Sequence, residues 1–187
     1  YFQGSSLAGA LREYHQNTFG TAQTRQLFGD QNGAGHLVIS DGDFPSDTKW
    51  ETRPRLRING KTGTAADGGK FDVAHLPVGT KQTFVLTWMG REEDKGELFQ
   101  IEQMLAALHQ GYIRLGGQKT NGFGRVKLEV RKQYYRMENA EDRAAWIEDQ
   151  DCSELLVLPQ VEQQDKITFE VQGYADALLV KSGAVER

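Results

Sequence analysis

The residues best suited to chemistry lie in one glycine-rich stretch, residues 115–126, where Lys119, Thr120 and Asn121 are adjacent and Arg125 follows. Four glycines surround them: Gly116, Gly117, Gly122 and Gly124. Glycine permits positive φ and close approach of the backbone, so N–H groups can face an anion beside two cationic side chains. The stretch is therefore a candidate phosphate-binding loop. A tight turn that binds nothing is the alternative.

Apolar runs flank this glycine loop, and they predict what positions it. Residues 112–115 and 126–131 read as strands, so the loop is expected to join the last strand pair of a sheet. A dinucleotide fingerprint or a Walker loop has to open a helix instead. The strand context therefore disfavours both of those nucleotide-binding classes.

The remaining pattern predicts two main helices and two core strands. Ser5 or Ser6 is expected to cap a helix reaching about Gln16, and apolar residues at helical spacing predict a second helix over 98–108. Asp41 and Asp43 follow a strand and are interpreted as turn formers. The strands are expected at 35–40 and 81–89, with a further helical turn at 24–28 and a short surface helix within 138–149.

Composition limits the function. With 38% hydrophobic residues, 26% charged residues and a net charge of −4, the chain falls in the soluble globular class, and any nucleic acid must be bound by local basic patches. The single cysteine, Cys152, excludes a disulfide framework and a cysteine-based zinc site, and fits a reducing cytoplasm. We predict no cofactor, no metal site and no membrane association.

Three motifs, residues 4–12, 35–41 and 116–125, resemble in sequence and order the RAMP superfamily of CRISPR-associated proteins. The resemblance is to the backbone subunits of type III effector complexes, which bind guide RNA. It implies an α+β, ferredoxin-like (RRM-like) βαββαβ fold with a thumb-like hairpin inserted in the polar segment 49–76, where Asn59-Gly60 suits a tight turn. The family's first strand is missing upstream, and the C-terminal strand is a candidate to replace it.

The resemblance also divides the chain. Residues 1–4 read as a purification-tag remnant, 5–132 as the RAMP ferredoxin-like domain, 133–165 as a linker with a short helix, and 166–187 as a strand like the start of a RAMP domain. Two explanations stay open for the tail: a fragment of a multi-RAMP protein, or a permuted domain. In either case residues 166–172 are expected to fill the vacant strand position, in this chain or in a neighbour.

The same resemblance extends the candidate RNA-binding residues beyond the loop. In the family the start of the first helix contacts the guide backbone, and the thumb lies across the guide–target duplex. The full predicted set is Ser5, Ser6, Arg12, Lys61, Gly116, Gly117, Lys119, Thr120, Asn121, Gly122, Gly124 and Arg125. Arg53, Arg55 and Arg57 are candidates to extend the track, with a solvated strand face as the alternative. Phe123 or Phe71 is a candidate to stack a base, with core packing as the alternative for Phe123.

The resemblance implies two alternative functions. One is an RNA-binding structural subunit of a type III effector complex, with guide RNA, target RNA and other effector subunits as partners, and with homo-oligomers through strand exchange as an option. The other is a stand-alone endoribonuclease that recruits His15 or His75 as its acid or base. No catalytic residue is assigned, because the family's catalytic aspartate lies in a loop upstream of the first motif. A module whose RNA surface has decayed is a third reading.

Overall fold

The computed structural model describes residues 2–161, which form an α+β fold as the sequence predicts. The helices are α1 (Gly4–Phe19), α2 (Thr21–Phe28), α3 (Gly96–Gln110) and α4 (Ala140–Ile147), with 3-10 turns at Glu92–Asp94 and Lys119–Asn121. The strands are β1 (Gly29–Asp30), β2 (Gly33–Ala34), β3 (Leu37–Ile39), β4 (Glu51–Ile58), β5 (Ala65–His75), β6 (Leu86–Trp88), β7 (Arg131–Lys132) and β8 (Glu154–Leu155). Among these residues, no helix is both long and apolar enough to cross a bilayer.

The core lies where α1, α2 and α3 meet the antiparallel pair β3–β6. On α1, Leu7 and Leu11 are buried one turn apart, so that helix presents an apolar stripe. On α3, Ile101, Met104 and Leu108 form the matching stripe. These buried side chains belong to one cluster. We call these three helices with β3 and β6 the body.

The first turn of α1 is capped from outside the helix. The predicted serine cap is wrong: the helix begins at Gly4, and the Gly4 N–H donates to Asp41 Oδ1 at 2.7 Å. Gly4 is also packed so closely on the end of β3 that a Cβ would lie 2.5 Å from the Ser40 carbonyl oxygen. Just upstream, Phe2 exchanges backbone hydrogen bonds with Gly42. That residues 1–4 are a tag remnant stays a prediction.

The inserted segment forms a long antiparallel hairpin, β4–β5. Its register runs from Glu51 opposite His75 to Leu56 opposite Lys70, with an irregularity after Leu56. The turn is wider than the predicted two-residue turn, because the backbone bonds that close it join Asn59 to Gly63 and Thr64. The chain therefore reverses over residues 60–63.

The predicted strand pair around the glycine loop is wrong for most of its length. Residues 112–115 fold back onto the end of α3, where the Tyr112 and Ile113 N–H groups both donate to the Ala107 carbonyl. Residues 126–130 are held by a side chain, since the Leu128 N–H donates to His109 Nδ1 at 3.0 Å. In the described part of the chain the strands therefore form four two-stranded pairs and not one four-stranded sheet.

Beyond the glycine loop, β7 pairs with β8, and α4 confirms the predicted surface helix. Asn139 caps α4 by accepting a hydrogen bond from the Glu141 N–H. The tail strand expected at 166–172, and the segment 166–187 as a whole, lie outside the described residues.

Candidate nucleic-acid interface

The centre of the glycine loop is an exposed single turn. Lys119, Thr120 and Asn121 form a 3-10 turn between two residues in the left-handed region, Gln118 at φ +57° and Gly122 at φ +87°. All three side chains are exposed. The loop therefore presents one ammonium, one hydroxyl and one amide to solvent, as a phosphate or ribose contact requires.

The base of the loop is closed tightly. The Leu115 N–H donates to the Gly124 carbonyl at 3.0 Å, and a Cβ at Gly124 would lie only 2.2 Å from the Leu115 carbonyl oxygen. Because Gly124 also has φ +83°, no other residue fits there without moving the backbone. From the same side Arg114 Nη1 donates to the Lys119 carbonyl at 2.6 Å. The turn is thus held in one conformation by contacts at its base.

Phe123 joins the glycine loop to the hairpin. The guanidinium carbons of Arg53 and Arg55 each lie 5.8 Å from the centre of its ring, a distance at which a cation is attracted to an aromatic face. The His75 ring meets the same ring edge-on, with the centroids 5.7 Å apart. Residues 115–124 and the strands β4 and β5 therefore share one surface, which we call the loop–hairpin surface.

The charge on this surface is not neutralised locally. None of the ion pairs between described residues uses Arg53, Arg55, Arg114 or Lys119. On this surface the Glu51 carboxylate is paired with a histidine: its Oε2 lies 3.1 Å from His75 Nε2. The surface is thus locally cationic although the chain carries a net charge of −4.

The other predicted binding residues lie in separate places. Ser5 and Ser6 are exposed on the first turn of α1, where Asp41 already takes the Gly4 N–H. Arg12 lines an open depression with Arg25 and the turn after α2. No hydrogen bond or ion pair among residues 2–161 joins these positions to the glycine loop.

Lys61 and Arg125 also lie away from the central turn. Lys61 is exposed at the tip of the hairpin, where its N–H donates to Asn59 Oδ1. The Arg125 side chain packs beside Gly111. Its Nε lies 3.6 Å from the position that a Cβ atom on Gly111 would occupy. Gly111 ends α3, and the negative end of the helix dipole favours a cation at that position.

The two candidate catalytic histidines differ in access. His15 is completely buried, with Nδ1 2.7 Å from Thr24 Oγ1 and Nε2 2.9 Å from Gln100 Oε1. Burial lowers its pKa, against the opposing effects of the Gln100 hydrogen bond and the Glu97 charge. His15 therefore joins α1 to α2 and α3 and cannot reach RNA. His75 is 11% exposed, and its Nδ1 is buried without a hydrogen-bond partner in the described residues.

A cluster with metal-ligand residue types lies in the body and not at the loop. Ligand atoms of His36, Asp94 and Glu97 lie within 4.8 Å of one another. Glu97 Oε2 is already occupied, because it accepts from Trp88 Nε1 at 2.7 Å and lies 2.9 Å from His36 Nδ1. These bonds tie α3 to β3 and β6 and account for the buried carboxylate.

Sequence reasoning missed how the loop and the hairpin meet. It assigned Phe123 to base stacking or to the core, yet two arginines about 70 residues upstream cover its ring. It also did not identify Arg114 as the brace of the loop. The signal that could have shown this was the alternation of arginines along β4, which places Arg53 and Arg55 on one face.

Comparison with known proteins agrees with the motifs. The model of the RAMP superfamily matches residues 1–127. The chain is 27% identical over 113 residues to the CRISPR system Cmr endoribonuclease Cmr4 of Pyrococcus furiosus, a match that covers 57% of this chain and 38% of that protein.

Among solved structures, a cryo-EM structure of the type III-B Cmr-beta complex bound to cognate target RNA contains a chain with a TM-score of 0.45 and 22% identity. That match covers 65% of this chain and 42% of the other. The family model spans well over half of the 187 residues. The chain therefore belongs to the RAMP superfamily of CRISPR-associated proteins, as its three motifs predict.

Proposed function

We propose that this chain is an RNA-binding subunit, or part of one, of a type III CRISPR effector complex, and that its glycine loop binds the backbone of guide RNA. Target RNA and neighbouring effector subunits are the further partners. The proposal assigns the chain a structural role that positions RNA without reading its sequence, because phosphate contacts carry no base information.

One observation carries the proposal: the Lys119 turn and the Arg53–Arg55 pair belong to one exposed surface, joined by Phe123. An RNA strand presents phosphates at regular intervals, so a row of unpaired cations with exposed hydrogen-bond donors fits it better than an isolated turn does. Thr120 and Asn121 supply neutral donors and acceptors for ribose 2′-hydroxyls.

The hairpin fits the thumb of the family's fold. It lies between β3 and β6 in the chain, where the resemblance places the insertion, and its distal half is largely exposed. On this proposal the body supplies the ferredoxin-like part, with α1, β3, β6 and α3 in the expected order. The hairpin then lies across the RNA bound at the loop.

Replacing Lys119 tests the loop directly. We expect Lys119→Ala to weaken binding of a fluorescently labelled single-stranded RNA and to reduce the slope of log K against log salt by about 0.7, the value for one phosphate contact on a single strand. Lys70→Ala is the matched control, since Lys70 is an exposed lysine of the hairpin that pairs with Leu56, on the face opposite to Arg53 and Arg55. Equal affinities and slopes for the two variants would refute the loop assignment.

A second function has one observation in its favour: the matched relative from Pyrococcus furiosus is named an endoribonuclease. Of His15 and His75, only His75 is placed near the loop–hairpin surface, because His15 is buried in the body. Incubating excess protein with labelled repeat RNA in a chelator would show cleavage that His75→Ala abolishes. Intact RNA would reject metal-independent cleavage and leave the binding role.

A further inference from the structure

Two arginines on β4 use one aromatic ring as a common support. Arg53 and Arg55 are two residues apart on a strand, so their side chains leave the same face with Cα atoms about 7 Å apart. Both guanidinium carbons lie 5.8 Å from the centre of the Phe123 ring. Both cationic side chains therefore approach the same ring.

The hydrogen-bonding capacity of this pair is unused by the protein. A guanidinium carries five N–H donors, and no side-chain hydrogen bond between described residues involves Arg53 or Arg55. No carboxylate within residues 2–161 forms an ion pair with either arginine. Within the described residues, the planar donors of both arginines therefore remain available to a ligand.

His75 completes the cluster around Phe123. Its ring packs edge-on against Phe123, Nε2 is 3.1 Å from Glu51 Oε2, and Nδ1 is buried without a partner in the described part of the chain. Because Nδ1 is buried, a ligand cannot reach it, and the groups of this cluster that are open to a ligand are the two guanidiniums.

We propose that Arg53 and Arg55, held on Phe123, form a two-arginine clamp for one backbone phosphate of the bound RNA strand. The inference rests on the proposed function and deepens it, since it names a second phosphate site on the hairpin side of the loop. Arginine suits this role because its planar fork binds a phosphate through two parallel hydrogen bonds. Phe123 is a positioning residue: its ring orients the arginines and is not free to stack a base.

The test compares three variants of the full chain by RNA affinity and salt dependence. Arg53→Ala/Arg55→Ala is expected to weaken single-stranded RNA binding about 10-fold and to reduce the salt slope by about 0.7, one phosphate contact. Arg53→Lys/Arg55→Lys keeps both charges, so it retains the slope but loses several-fold in affinity because the bidentate geometry is gone. Phe123→Leu keeps both arginines and the apolar contact, so a smaller loss with an unchanged slope is expected.

The outcomes separate the clamp from the loop. Lys70→Ala is the control on the opposite hairpin face and removes one positive charge, and thermal unfolding of each variant confirms that it is folded. If the double alanine variant binds RNA as Lys70→Ala does while Lys119→Ala binds less, the clamp is overturned and the loop assignment stands. If neither the arginines nor Lys119 affect binding, both proposals fall. If Arg53→Lys/Arg55→Lys binds RNA as tightly as the wild type does, the arginines do not bind the phosphate through bidentate hydrogen bonds.

Discussion

The body and the loop–hairpin surface are constructed from different kinds of contact. In the body, Leu11, Leu27 and Met104 have no exposed surface. On the hairpin, Leu56 and Ile58 are 53% and 61% exposed. The hairpin strands contact each other along their length, and the described link to the glycine loop is the cluster around Phe123. Buried apolar contacts are thus concentrated in one region, and exposed side chains and arginines outside any described ion pair in the other.

This division predicts whether a substitution changes mainly the folding free energy or mainly RNA binding. Side chains that fill the body are worth several kcal/mol each, because their removal leaves a cavity. Side chains on the hairpin are already partly hydrated, so their removal costs little folding free energy. Folding and RNA binding should therefore respond to different sets of residues.

The largest effect is expected from a core leucine. Leu11→Ala should lower the free energy of unfolding by about 3 kcal/mol, measured by urea denaturation, because Leu11 is completely buried in the main cluster. Leu56→Ala removes the same atoms from a half-exposed hairpin position and should cost less than about 1 kcal/mol. Similar losses for the two variants would break the distinction between the regions.

The glycine loop offers a pair of substitutions with a smaller expected effect. Gly124→Ala should cost about 2 kcal/mol and weaken RNA binding, because the new Cβ meets the Leu115 carbonyl at 2.2 Å in a left-handed backbone. Gly117→Ala has open space around the new Cβ and should change stability by less than about 0.5 kcal/mol. If both variants retain wild-type affinity and stability, the closure at Leu115 does not shape the loop.

The smallest effect is a pH dependence confined to the body. Burial holds the pKa of His15 below its ordinary value of about 6.5, so the unfolded chain binds its proton more readily than the folded chain. Stability is then fully present above about pH 6.5 and is lost as the pH falls toward the lowered folded pKa. His15→Gln should flatten the change in urea midpoint between about pH 7.5 and about pH 5.5.

RNA affinity supplies the contrast for that experiment. Because His15 lies outside the loop–hairpin surface, folded His15→Gln should bind RNA as the wild type does over the same pH range. If the urea midpoint falls by the same amount in the wild type and in His15→Gln as the pH is lowered, groups other than His15 cause the pH dependence.

Periodicity was sufficient to predict the body. The stripes Leu7–Leu11 and Ile101–Met104–Leu108 follow helical spacing, and both helices are confirmed. The short helix α4 was also predicted correctly in position. Helical spacing is encoded within a few neighbouring residues, whereas the hairpin in segment 49–76 was expected from the family resemblance.

Features that depend on distant residues were not predicted. Residues 126–130 have a strand-like pattern, yet a histidine side chain from α3 takes the Leu128 N–H that a strand partner would use. The cap of α1 comes from Asp41, 37 residues away. Likewise the contact of Phe123 with two hairpin arginines follows from folding and not from any local motif. Alternation in a short apolar run cannot distinguish these partners from a sheet neighbour.

The length of the hairpin gives Phe123 an influence far from its own position. A strand of eight residues spans about 27 Å, so a tilt of about 10° at the base swings the tip through about 5 Å. Lys61 sits at that tip. If RNA binds as proposed, the packing of one aromatic ring near the base of the hairpin would set where a distant lysine meets the strand, and a small shift at the base would become a displacement of several ångströms at the tip.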